Sequence, residues 1–177
     1  MMTTIVTATD LLTDFETATR SFLEVLHAFN QSAFNVVPFE GSWTAAQVTE
    51  HVHKSDSLMV KTLFGPVLET NRPPDEGVEG LKATFLNFST KLKSPDFIIP
   101  SEAKHEKESL LVAFKLTRDK IGEAIKTLGL TATCPFPVFG DPTRLELVSF
   151  IIYHTIRHTR QVRHIAEVLG QPIDQQQ

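Results

Sequence analysis

Apolar residues recur along most of this chain at intervals of three and four, the spacing that lays one stripe down the side of an α-helix. The clearest case runs from Thr143 to Gly170, where Leu147, Ile151, Ile165 and Leu169 define an inward-facing stripe. Thr143 and Glu146 form a capping box, in which each side chain satisfies a backbone N–H that the first turn leaves orphaned. Gly170 stands where a left-handed C-terminal residue is wanted, and Pro172 prevents continuation. His154 and His158 fill the two stripe positions where further aliphatic side chains would be expected. Four residues is just over one turn, so both imidazoles project from one face. His164 falls off the stripe, beside Arg157 and Arg160, and reads as solvated.

Three earlier segments carry the same period. Leu11, Phe15, Ala18, Phe22, Leu26 and Phe29 predict a helix from Thr9 or Asp10 to Gln31, with His27 on its polar side near Arg20 and Glu24. Pro38 and Gly41 then break the chain, and Thr44 with Gln47 makes a second capping box that opens a second helix. Its stripe is Val48, His51/Val52, Ser55, Met59 and Thr62/Leu63. His51 points inward with Val48, whereas His53 lies about 200° further round, beside Glu50 and Ser57. A third long helix covers Glu102 to Leu128, with Leu110/Leu111, Phe114, Ile121, Ile125 and Leu128 inward and Gly129 as its stop. Arg118 sits within that stripe; it either snorkels to solvent, the simpler reading, or aims its guanidinium into the core.

Between the second and third helices the pattern weakens. NRPPDEGVEG (71–80) is turn-forming and polar and reads as a mobile loop. Leu81, Phe85, Phe88 and Leu92 predict a short helix ended by Ser94-Pro95, and PDFIIP (95–100) an extended crossing segment. So long a connection is rare unless it has a task, here to return the chain along the length of a bundle. Four long amphipathic helices without a strand pattern make the chain all-α, a four-helix bundle.

At 177 residues the chain is expected to be one domain, 1–177, with a core that needs no staples. A net charge of −4 with interspersed signs argues against a nucleic-acid footprint. Its single Cys134 excludes an internal disulfide and fits a reducing compartment. The start, MMTTIVTATDLL, lacks a basic n-region, and no run approaches the ~20 apolar residues of a membrane span, so a cytoplasmic protein is expected.

Among seven histidines, an isolated pair four apart is more often structural than functional. What raises this pair is its place in the core stripe, where two imidazoles cost desolvation unless each finds a partner. A metal ion satisfies both but needs a third ligand. His51 is the third inward imidazole, and His51, His154 and His158 together supply three neutral nitrogens with positions left for water or substrate. Imidazole suits zinc, nickel, iron and copper alike. Gln161, one turn after His158, either orients that ligand or is a polar residue at the bundle's edge. His105-Glu106-Lys107-Glu108-Ser109 begins like the HExxH zinc motif but has Ser in place of the second His. There is no GxSxG, GxxxxGK[ST] or GxGxxG, and Cys134 in its Pro-rich loop reads as a structural thiol.

Trp43-Thr44 followed by His51, with His154, His158 and Gln161 as H-x3-H-x2-Q on the terminal helix, resembles the DinB/YfiT-like superfamily over nearly the whole chain. The resemblance implies an up-down-down-up bundle with a long crossover between the second and third helices. It also implies a divalent metal on His51, His154 and His158, zinc or nickel foremost, and frequent homodimers. Relatives of this kind include metal-dependent transferases and isomerases using a low-molecular-weight thiol such as bacillithiol, mycothiol or glutathione. Two functions are therefore expected to compete: a metal-dependent thiol S-transferase or hydrolase-like enzyme acting on a small-molecule substrate, and a non-catalytic metal-binding bundle in stress response or protein interaction.

Overall fold

The computed structural model describes residues 7–136 and 139–173, leaving the N-terminal start and the Gln tail outside the described residues. Within them the protein is all-α: α1 (Ala8–His27), α2 (Gln31–Phe34), α3 (Ala45–Leu63), α4 (Val78–Phe85), α5 (Lys107–Thr127) and α6 (Arg144–Val168), with a 3₁₀ turn at Asp96–Ile98. Only two isolated β-bridges occur among these residues, Leu68 with Thr133 and Thr133 with Thr143.

Helix boundaries follow local hydrogen bonding. Thr7, Thr44 and Thr143 each cap a long helix in a complete capping box, with Asp10, Gln47 and Glu146 as reciprocal partners. The expected continuation of the first helix to Gln31 is cut at His27, because Asn30 accepts the Ala33 N–H and starts a separate turn, α2. The third long helix starts at Lys107 rather than Glu102. Glu106 caps it by accepting from Glu108 and Ser109, while the His105 N–H donates to Asn35 Oδ1, 2.8 Å away. The short helix expected across Leu81–Leu92 is placed earlier and ends at Phe85, leaving Phe88 and Leu92 exposed outside it. Asn87 there accepts from the Ser89 backbone and hydroxyl, a local turn that competes with helix. Residues 71–80, expected to be a mobile loop, are tied to α6: both Arg72 Nη atoms lie 2.6 Å from Glu146, and Gly77 N–H donates to Glu146 Oε1. A Cβ on Gly77 would meet Glu146 Oε1 at 2.9 Å, so that close approach requires glycine.

The four long helices pack pairwise, α1 on α6 and α5, and α3 on α5 and α6, with α4 laid against α6. The core is divided. One apolar cluster joins Leu11, Phe15 and Ala18 of α1 to Met59 and Leu63, Ile121 and Ile125, and Leu147, Val148, Phe150, Ile151 and Ile152. The other joins Phe22, Leu26 and Phe29 to Val48 and Val52, Leu111 and Phe114, and Val162 and Ile165. Along α3, α5 and α6 the residues between the clusters are polar yet buried: Ser55 and Asp56, Arg118, and His154, Thr155, His158 and Thr159. A polar layer thus crosses the middle of the core.

Within that layer Arg118 does not snorkel. It is 3% exposed, its Nε 3.1 Å from Asp56 Oδ2, and its guanidinium stacks over Phe15 and Phe114, each 5.0 Å away. The Nε–H is not directed at the carboxylate, so the pair rests on charge attraction, which tolerates poor alignment, more than on a formed hydrogen bond. Arg118 Nη2 donates to Thr155 Oγ1. Burial lowers the Arg118 pKa and raises that of Asp56 to about 6, although Arg118 opposes the second shift.

Candidate metal centre

The site grows from two helix faces. His51 is placed by the second turn of α3, and His154 and His158 by consecutive turns of α6; all three are buried. His154 Nε2 stands 3.1 Å from both His51 Nε2 and His158 Nε2. The three ligand atoms lie within 4.8 Å of one another, with no carboxylate or thiolate joining them among the described residues. His53 faces α5, its Nδ1 3.4 Å from Thr117 Oγ1, and His164 is exposed near Glu167. The structure therefore brings together the three expected histidines and leaves out the two others on their helices.

Two of the three tautomers follow from the neighbours. His51 Nδ1 lies 2.9 Å from the Ile98 carbonyl, which only accepts, so Nδ1 carries the proton and Nε2 a lone pair. His158 Nδ1 is 2.8 Å from Gln161 Oε1, with the same consequence. Between them, a single proton on His154 Nε2 reaches only one lone pair, and His154 Nδ1 is itself buried without a partner. A cation accepts all three lone pairs at once, so the donor set could hold a metal ion.

Electrostatics point the same way. Burial holds the pKa of His51 below that of a free imidazole. Burial, then the adjacent His158 and His51, holds His154 well below it, and burial pushes His158 to about 3. All three are neutral ligands across the physiological range.

The outer supports were partly legible in the sequence. Gln161 orients His158, as one of its two readings has it. The Ile98 carbonyl was not legible, because a backbone acceptor has no residue signature. Ile98 belongs to the crossing segment, which is not fully extended but turns at Asp96–Ile98. Glu50, one residue before His51, straps that segment to α3: it accepts from Ser101 N–H at 2.8 Å and Oγ at 3.0 Å, and pairs with Lys54 at 2.9 Å. His105 Nε2 lies 3.0 Å from the same carboxylate, and Lys54 Nζ donates to the Ile99 carbonyl. Burial would raise the Glu50 pKa, but these bonds outweigh it and hold the carboxyl low. Aromatic rings wall the rest: Trp43 lies 5.1 Å from the His51 ring, and Phe150 5.1 Å and Phe85 6.0 Å from that of His154.

Two cavities lie elsewhere. One of about 550 Å³ runs between α1 and α5 with Arg118 and Gly122 in its wall, and one of about 430 Å³ lies between α4 and α6. Neither is lined by a triad histidine. Among the described residues no helix is long and apolar enough to cross a membrane.

The chain is 26% identical over 157 residues to the uncharacterized protein YuaE of Bacillus subtilis (strain 168), covering 80% of this chain and 88% of that protein. No solved structure matches. The sequence profile of the DinB superfamily matches residues 14–162, a span that contains α3, α5 and all three converging histidines, and the chain belongs to that superfamily.

Proposed function

We propose that His51, His154 and His158 hold a divalent metal ion, zinc or nickel foremost, and that the protein is a metal-dependent transferase joining a low-molecular-weight thiol to a small electrophile. The observation that carries this reading is the convergence of three Nε2 atoms, two of them fixed as lone pairs by Ile98 and Gln161, with no fourth protein ligand among the described residues. A divalent ion there would act as a Lewis acid, lowering the pKa of a substrate thiol so that it is nucleophilic near neutral pH. The chain's own part is to keep the imidazoles neutral, fix their tautomers and exclude bulk water. Cys134 is a poor nucleophile: it is buried in the apolar cluster of Leu147 and Ile151, and burial pushes its thiol pKa up.

The rest of the proposal is architectural. The four long helices form an up-down-down-up bundle in one domain of a cytoplasmic homodimer. Its direction is supported by the clusters, in which the starts of α1 and α6 meet the ends of α3 and α5. A second reading, a metal-binding bundle without catalysis, is favoured by one feature: the triad is buried and borders neither cavity.

The experiment is elemental analysis of untagged protein, followed by conjugation of monobromobimane with bacillithiol, mycothiol and glutathione in turn. His51→Ala, His154→Ala and His158→Ala should each lose most of the metal, whereas His53→Ala and His164→Ala should keep it. Conjugation should need both metal and added thiol and should survive Cys134→Ser. A rate no higher than that of the His158→Ala protein with every thiol would decide for the non-catalytic reading.

A further inference from the structure

The triad lies behind a layer of aromatic rings, and across that layer is the 430 Å³ pocket between α4 and α6. Phe85 and Phe150 belong to both: they line the pocket, and both rings pack on His154. Phe85 meets Phe150 edge-on at 5.1 Å, and Phe139 meets it at 4.8 Å and 56°. Mutually tilted rings of this kind offer both faces and edges to a flat guest. The volume falls in the range of small-molecule sites.

The cation at the polar end of the pocket, Arg72, is already paired. Arg72 is bound through both Nη atoms to Glu146 and has Glu76 3.7 Å from its Nε. Glu146 in turn takes the N–H groups of Gly77 and Thr143. With two carboxylates sharing one guanidinium, an anionic guest would find no unpaired cation there. Gly80 contributes space: a Cβ on it would meet nothing within 4 Å, and a glycine inside a helix is less stable than alanine by about 1 kcal/mol. Neither packing nor helix propensity asks for it. The space it leaves is on the pocket wall.

We propose that this pocket binds a non-anionic, largely apolar small molecule, with an aromatic face against Phe85, Phe139 and Phe150, one ring's thickness from the triad. Its service as the electrophile's subsite rests on the thiol-transfer reading; the binding itself does not.

The test is titration of 1,3-dinitrobenzene and of its carboxylate relative 3,5-dinitrobenzoate, followed by NMR and calorimetry, into metal-loaded and chelated protein. The neutral compound should bind saturably, and the carboxylate at least tenfold more weakly. Gly80→Leu, which fills the pocket, should weaken the neutral compound at least tenfold, and Gly80→Ala less. Unchanged affinity in Gly80→Leu, equal affinity for the carboxylate, or no saturable binding would overturn the assignment. Should Gly80→Leu fail to fold, the ring resonances of Phe85, Phe139 and Phe150 in the unaltered protein decide, and unmoved signals overturn it. Absence of thiol conjugation with binding intact would remove the enzymatic reading and leave this site standing.

Discussion

Stripped of metal, the protein should be acid-sensitive because of its own triad. In the unfolded chain each imidazole titrates near ~6.5. In the folded chain burial holds all three lower, His158 at about 3 and His154 well below the ordinary value. Below pH ~6.5 the unfolded state therefore takes up protons that the folded state refuses, so stability is complete above that value and is lost as pH falls towards about 3. At pH 5 the histidine held at about 3 costs RT ln(1 + 10^1.5), about 2 kcal/mol. His158 alone gives about 2 kcal/mol, with His154 and His51 adding in the same direction, against a typical stability of about 5–15 kcal/mol. For a chain of this size the His158 share corresponds to a fall in Tm of roughly 4–8 °C. The assay is urea unfolding in EDTA, followed by circular dichroism from pH 8 to pH 5, on the unaltered protein and on His154→Leu/His158→Leu. Asp56, whose pKa burial raises to about 6, acts in the opposite sense, since its contribution is complete below its unfolded pKa and lost as pH rises through 6. It is common to both proteins and cancels in their difference. The double variant should be flatter by about 2 kcal/mol or more. Parallel curves for the two proteins would refute the argument.

Arg118→Met leaves Asp56 buried without its counter-charge and should destabilise by about 3–5 kcal/mol, whereas Asp56→Leu/Arg118→Met should recover most of that loss; urea midpoints of the three proteins decide it. Glu50→Gln weakens the strap that sets Ile98 against His51, and should lower zinc affinity roughly 10-fold while the thermal melt of the chelated protein moves little; competition with a chromophoric chelator reads the affinity. Gly77→Ala brings a methyl carbon against Glu146 Oε1 and should shorten the life of the Arg72–Glu146 clamp, seen as faster amide exchange at position 77 and at Val78 with α3 and α5 unaffected.

The helices and the inward phase of their histidines were legible because helical period is local: a residue's face depends only on its distance from neighbours on the same turn. The three threonine caps were legible for the same reason, each bonding three residues ahead. The outward reading of His53 and His164 relative to the triad follows from the same period. Asp56 falls four residues after Val52 and three before Met59, and a carboxylate at that inward spacing was a signal that could have found the buried pair.

What only the tertiary structure decided are the partners. Arg118 could not be placed from its own helix, because snorkelling and burial share one helical phase, and Asp56 on α3 makes the difference. The short helix ended early because the Asn87 turn outcompeted the apolar period. His51 owes its tautomer to a carbonyl 47 residues away, and it meets His154 across 103 residues. The sequence by itself determined that three imidazoles face inward on two helices, since that is a matter of spacing. Their convergence at one height, and which nitrogen of His51 keeps its lone pair, depend on how helices and crossover stack. That stacking is set by contacts between residues far apart in the chain, which a local period does not encode.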